Sequence, residues 1–156
     1  MSAGQNLELK IPPALVFLGF AAVMYALARL LPAGEFDFFG RIWLQRVLGA
    51  AGLIVGGWAL VQFLWRKTSV NPHRPGEARA LVTGGLYRFS RNPMYLALLL
   101  VLLAWGLYLG NAFNAVTAGL FVSYMNRFQI IPEERVLGSR FGEKYRQYCK
   151  AVRRWF

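Results

Sequence analysis

Between Pro93 and Asn126 the chain runs for 34 residues without a charged side chain. As one α-helix, rising about 1.5 Å per residue, that stretch would reach about 50 Å, well beyond the roughly 30 Å hydrocarbon layer of a bilayer. It must fold back, and Gly110, Asn111 and Asn114 supply the bend. Two spans are predicted, over about 93–109 and about 115–131, each short enough that tilting or close docking is expected.

Two more apolar runs precede this hairpin, at about 11–31 and about 42–65. The first tolerates Pro12 and Pro13 near its start and lets Arg29 snorkel at its far end; the second carries Arg46 early and Trp58, Gln62 and Trp65 at its exit. The intervening turn, 32–40, with Gly34, Glu35 and Asp37, is expected to open to water. Of the 156 residues 56% are hydrophobic and only 16% charged, too apolar for a soluble domain of this size. The expected fold is all-α, a polytopic membrane protein of about four transmembrane helices in a single domain, 1–156. The first ten residues are polar and no small-residue cleavage site follows a short hydrophobic region, so the first run reads as a retained span rather than a signal peptide.

The formal charge of +11 is concentrated beside the apolar runs. Arg66, Lys67, Arg74, Arg79, Arg88 and Arg91 face only Glu77 in the loop 66–92, and eight basic residues from Arg127 onward face Glu133, Glu134 and Glu143. With four spans both basic segments and both termini share one side, which the positive-inside rule assigns to the cytosol. This clustering favours membrane lipid over nucleic acid as the partner of the basic charge. The tail 133–154 places Leu137, Phe141, Tyr145, Tyr148 and Val152 on one face of a predicted amphipathic cytosolic helix. A single cysteine, Cys149, and a single histidine, His73, exclude a disulfide framework or a multi-ligand Cys/His metal site within one chain, and no metal is expected. His73, in an Asn-Pro-His-Arg-Pro-Gly turn, reads as a surface histidine.

Two stretches carry candidate chemistry. Residues 81–95, with Thr83, Gly84, Gly85, Tyr87, Arg91, Asn92, Pro93 and Tyr95, form a polar, glycine-containing approach to the third span. Taken alone, a re-entry loop with snorkelling arginines explains them equally well. The second is Asn126-Arg127-Phe128-Gln129 followed by Glu133-Glu134. Those carboxylates fit the start of a helix, where they face the positive end of its dipole, and they also suit holding a cation.

Gly85-Leu86-Tyr87, Arg91-Asn92-Pro93-Met94-Tyr95, Glu133-Glu134 and Phe141-Gly142-Glu143-Lys144-Tyr145, in that order, resemble the C-terminal half of the isoprenylcysteine carboxyl methyltransferase and phospholipid methyltransferase group. The resemblance implies an integral membrane methyltransferase that uses S-adenosylmethionine, with a cytosol-facing site and a lipophilic or small hydrophobic acceptor. By position it implies cofactor contacts from Arg79, Leu81, Val82, Tyr87, Asn92, Pro93, Tyr95, Glu133 and Glu134, with Arg91 and Arg127 orienting the acceptor. The isoprenylcysteine enzymes have Arg-His-Pro where this chain has Arg91-Asn92-Pro93, and the arginine expected near the last span falls at Gln129, with Arg127 two residues earlier. Isoprenylcysteine-like O-methylation is favoured over phospholipid N-methylation, since an acceptor already ionised needs no base. The competing reading is a non-enzymatic membrane module that docks anionic lipid or a protein through its basic face. A transporter is disfavoured, because the central parts of the spans hold no acidic or histidine relay.

Overall fold

The structure, a computed structural model, describes residues 8–65 and 81–156. Pro12 opens the first helix with its carbonyl accepting from Leu15 N at 2.9 Å, and Pro13 sits where its missing donor costs nothing. This helix, α1 (Pro13–Leu30), is followed by α2 (Arg41–Trp65), α3 (Pro93–Leu109) and α4 (Phe113–Met125). The described residues are helical apart from loops and turns, with one isolated bridge and no strand. The core lies between α1, α3 and α4, where Met24, Leu102, Phe121, Met125 and Ile130 are fully enclosed.

The α2–α3 pair is an antiparallel seam of small residues. A Cβ at Gly52 would come within 2.7 Å of the Val101 side chain and 3.0 Å of the Ala97 carbonyl, while one at Gly56 would meet Ala97 at 3.2 Å and one at Gly49 would meet Ala104 at 3.7 Å. Close backbone approach through small residues is how helices gain dispersion contact where lipid removes the hydrophobic drive. The register pairs Gly49, Gly52 and Gly56 with Ala104, Val101 and Ala97 in turn.

At one end of the bundle the two hairpin tips dock. Phe36 N donates to Gly110 O (2.9 Å), Ala112 N to Gly34 O (2.7 Å), and the buried Asn111 amide to Leu31 O (2.8 Å). Gly110, at φ +63°, closes α3 with its N–H on Gly106 O and Leu107 O, and Arg41 places a guanidinium on the carbonyl of Leu107 at 2.7 Å, the negative end of the helix dipole. The turn expected to open to water is thus tied to the other tip through residues 34–36, because the backbone groups of two apolar hairpins need partners.

Among the described residues two helices are long and apolar enough to cross a bilayer, Pro13–Leu30 and Arg41–Gln62, and α3 is a shorter apolar helix. Their outer faces are bare, with Leu30 at 76%, Leu53 at 72% and Ile54 at 70% exposure. A soluble fold would bury such helices, so these faces belong against lipid and the protein associates with a membrane.

The last predicted span does not stop before the tail. After α4 the chain passes through one π turn, Asn126–Ile130, straight into α5 (Ile131–Phe141), with Ile131 N donating to Asn126 O. Pro132 has no N–H to give to Phe128 O, and the wider turn accommodates its ring. The freed Phe128 carbonyl accepts instead from Leu9 N at 3.0 Å. The single tail helix expected over 133–154 is broken at Gly142 (φ +53°, ψ −124°), where α5 ends and α6 (Glu143–Ala151) begins. Only glycine takes that conformation without strain. The kink turns α6 and residues 152–155 back over the start of α3.

Candidate functional site

The end opposite the docked tips gathers most of the residues singled out in the sequence. Its floor is the loop into α3, where Gly85 (φ +64°) begins a 3-10 turn, Gly85–Arg88. The Gln62 side chain, at the end of α2, seats this turn by accepting from Leu86 N at 3.2 Å; a Cβ at Gly85 would overlap the Gln62 amide. Val82, Tyr87 and Ser90 are buried here, whereas Leu81 is half-buried. Pro93 begins α3 as its first residue, preceded by Asn92.

Asn92 and Ser90 fasten the returning C-terminal segment. Asn92 donates its side-chain amide to Arg154 O (3.0 Å), Ser90 its hydroxyl to the same carbonyl (3.4 Å), and Arg91 N binds Arg153 O (3.0 Å). Tyr148 of α6 donates its hydroxyl to Tyr87 O at 2.7 Å. Arg154 grips both Glu134 oxygens, at 3.0 and 2.7 Å, and Arg91 approaches Glu134 at 3.3 Å while donating to the Cys149 sulfur. Glu134 therefore already holds two guanidinium groups. Arg91 Nε is buried with no hydrogen-bond partner among the described residues.

Glu133 is the opposite case. It accepts from the Tyr95 hydroxyl and forms no ion pair among the described residues. Part of its surface stays open, yet the protein packed around it pushes its carboxyl up to about 8; the Tyr95 hydrogen bond lowers it and the Glu134 charge raises it further. Burial also raises the Tyr87 phenol, helped by Tyr148 and Glu133, and raises Tyr148 to about 12. At neutral pH this corner is a protonated carboxyl among neutral phenols, beside a charge-saturated Arg91–Glu134–Arg154 group. Among the described residues no cation meets Glu133 and no acceptor meets Arg91 Nε.

Arg127 stands outside this network. It reaches Glu8 at 2.8 Å, joined by Arg135 at 3.2 Å, and hydrogen bonds from Arg127 and then Arg135 hold the Glu8 carboxyl below its usual range. Gln129 is fully buried and donates to Ile11 O at 2.8 Å, bracing the N-terminal segment against the π turn. Arg79 and His73 lie outside the described residues. Glu8, Gln62, Ser90, Tyr148, Cys149 and Arg154 were not anticipated as site residues. None stands in a motif, and only the adjacent cations Arg153-Arg154 hinted that a carboxylate needed a partner. No group of three or more His, Cys, Asp or Glu side chains suited to a metal occurs among the described residues.

Comparison with known proteins bears on the same stretch of chain. The phospholipid methyltransferase family model matches residues 44–144. An uncharacterised protein of Haemophilus influenzae is 52% identical over 62 residues, covering 40% of this chain and 98% of that protein. A protein-S-isoprenylcysteine O-methyltransferase of Schizosaccharomyces pombe is 27% identical over 123 residues, covering 78% of this chain. The match spans 52% of the length of the yeast protein. No solved structure matches.

Proposed function

The chain belongs to the phospholipid methyltransferase family, and from that premise we propose that it is an integral membrane, S-adenosylmethionine-dependent methyltransferase acting on a lipophilic acceptor. All four apolar helical segments cross the bilayer in this reading, with the basic end and both termini in the cytosol. The observation that carries it is the pairing of a half-buried carboxyl, Glu133, with a buried guanidinium nitrogen, Arg91 Nε, neither of which meets a partner of opposite charge or an acceptor among the described residues.

That donor set fits the cofactor, which has an ammonium, a sulfonium and a carboxylate. When bound, S-adenosylmethionine would supply a methyl group carried on a sulfonium, transferable to an acceptor atom in exchange for the C–S bond. Glu133, its proton released to solvent, would hold the positive charge; Arg91 would take the carboxylate; and Tyr87 and Tyr95 would present neutral rings that attract a cation and exclude water. Asn92, Pro93, Leu81 and Val82 would shape the floor, and the family resemblance adds Arg79 to the cofactor contacts. Glu134, locked by Arg91 and Arg154, positions Arg91. Orientation of two reactants and exclusion of water contribute several kcal/mol to such a displacement.

On the acceptor side Arg127 is assigned to an anionic group, which would take it from Glu8. Isoprenylcysteine-like carboxylates are favoured, with phospholipid amines next. Docking of lipid or protein by the basic face alone asks for neither the Tyr95–Glu133 bond nor the Gln62-seated loop. Incubation of the purified protein with methyl-labelled S-adenosylmethionine and, separately, a prenylcysteine analogue, a phosphatidylethanolamine and a small thiol tests the reading. Label is expected in the first; label in none of the three sinks it.

A further inference from the structure

A groove of about 360 Å³ runs beside the α2–α3 seam near the docked loop tips, at the end of the bundle away from the candidate site. Its walls are Gly49, Val101, Ala104 and Trp105, and its mouth carries Gln45, Arg46 and Tyr108. The antiparallel register that sets Gly49 against Ala104 continues to put Gln45 beside Tyr108, so the polar groups share one level. From Tyr108 down to Val101 the helix descends about 10 Å. The groove thus begins at the interface and runs into the hydrocarbon layer, polar only at its mouth.

We propose that this groove binds one anionic phospholipid of the leaflet facing the loop tips, with the phosphate on Arg46 and one acyl chain along Gly49 and Ala104. Three observations commit it to that occupant. The groove is open and its lining is mainly apolar, so in a bilayer an acyl chain fills it and water does not. Arg46 is exposed and stacks over Trp43, 5.4 Å from its ring, with no carboxylate partner among the described residues; the nearby Asp37 is held by Arg41 at 2.8 Å. Trp105 and Tyr108 stack on each other, their ring centres 5.4 Å apart, making one stiff wall at the depth where amphipathic rings favour the interface. The glycine matters because any side chain at position 49 would occupy the chain's path, while a Cβ there meets nothing closer than Ala104 at 3.7 Å. This site stands independently of the methyl-transfer reading.

Native mass spectrometry of the detergent-purified full chain, titrated with palmitoyl-oleoyl phosphatidylglycerol or the matching phosphatidylcholine, tests it. One phosphatidylglycerol per chain is expected, bound about fivefold to tenfold tighter than phosphatidylcholine. Arg46→Ala should erase that preference while leaving the circular dichroism unchanged, and Gly49→Leu should weaken both lipids. Soluble glycerol phosphate should not compete. Equal binding by the wild type and Arg46→Ala overturns the proposal, as does competition by glycerol phosphate, which would mean a free-phosphate site. A two-chain mass that Gly49→Leu splits to one would make the groove an interface between copies and overturn it too.

Discussion

Glu133→Gln is expected to make the protein more stable at neutral pH and to abolish cofactor binding. The folded protein holds the Glu133 carboxyl at about 8 against an ordinary value of 4.5, so between those pH values the folded state keeps a proton that the unfolded state has released. Stability contributed by this group is therefore complete below pH 4.5 and is lost progressively as pH rises to about 8. At pH 7 the loss amounts to about 3 kcal/mol. Glutamine keeps an oxygen for the Tyr95 hydroxyl but cannot ionise, so it removes that loss. For a chain of this length about 3 kcal/mol corresponds to about 6–12 °C in melting temperature. Melting followed by tryptophan fluorescence in one detergent, at pH 5 and pH 7.5, gives the comparison. The variant should exceed the wild type by about 1 kcal/mol at pH 5 and by about 4 kcal/mol at pH 7.5. Equal melting at both pH values, or a variant less stable at pH 7.5, would refute the claim that the surroundings of Glu133 hold its carboxyl protonated.

Three other outcomes follow from the same geometry. Affinity for S-adenosylmethionine should fall about tenfold for each pH unit below 8, since a cation must draw the proton from Glu133; calorimetry across pH 6–8.5 checks this. Gly52→Leu should cost about 3 kcal/mol or more, seen as loss of monodisperse protein, because its side chain meets Val101 and the Ala97 backbone with no space to yield. Arg154→Ala should lower stability by about 1–2 kcal/mol by breaking the two-pronged grip on Glu134, and Arg154→Lys should recover only part of it, because an ammonium cannot copy the fork; thermal melting of both variants reads the difference.

What could be read from the sequence was what charge and hydropathy encode. The charge-free run from Pro93 folds back at Gly110 as expected, and α3 occupies the predicted 93–109. Composition alone anticipated lipid-facing helices, and the family followed from four motifs in order. Backbone accounting was harder to foresee. Glu133 and Glu134 do stand with Pro132 in the first turn of a helix, α5, but that helix has no free start: a π turn joins it to α4, and Leu9, near the other end of the described chain, satisfies the Phe128 carbonyl that Pro132 cannot. The apolar spacing of Leu137, Phe141, Tyr145 and Tyr148 suggested one tail helix, whereas Gly142 at positive φ splits it. In the candidate site, Asn92, Tyr95, Glu133 and Glu134 were named from their motifs. Arg154, which neutralises Glu134, was not, because an ion pair across 20 residues leaves no local pattern. Arg127 was grouped with the site by its place near the last span, yet it faces Glu8, and only the fold of the N-terminal segment reveals that partner.

Titration of the purified protein with S-adenosylmethionine and S-adenosylhomocysteine by calorimetry at pH 8 tests most directly whether the basic end of the bundle is a methyltransferase site. Saturable heat with both is expected for the wild type, and none for Glu133→Gln, although that variant melts higher. Absence of heat with either compound in the wild type, or undiminished binding by Glu133→Gln, would contradict the assignment.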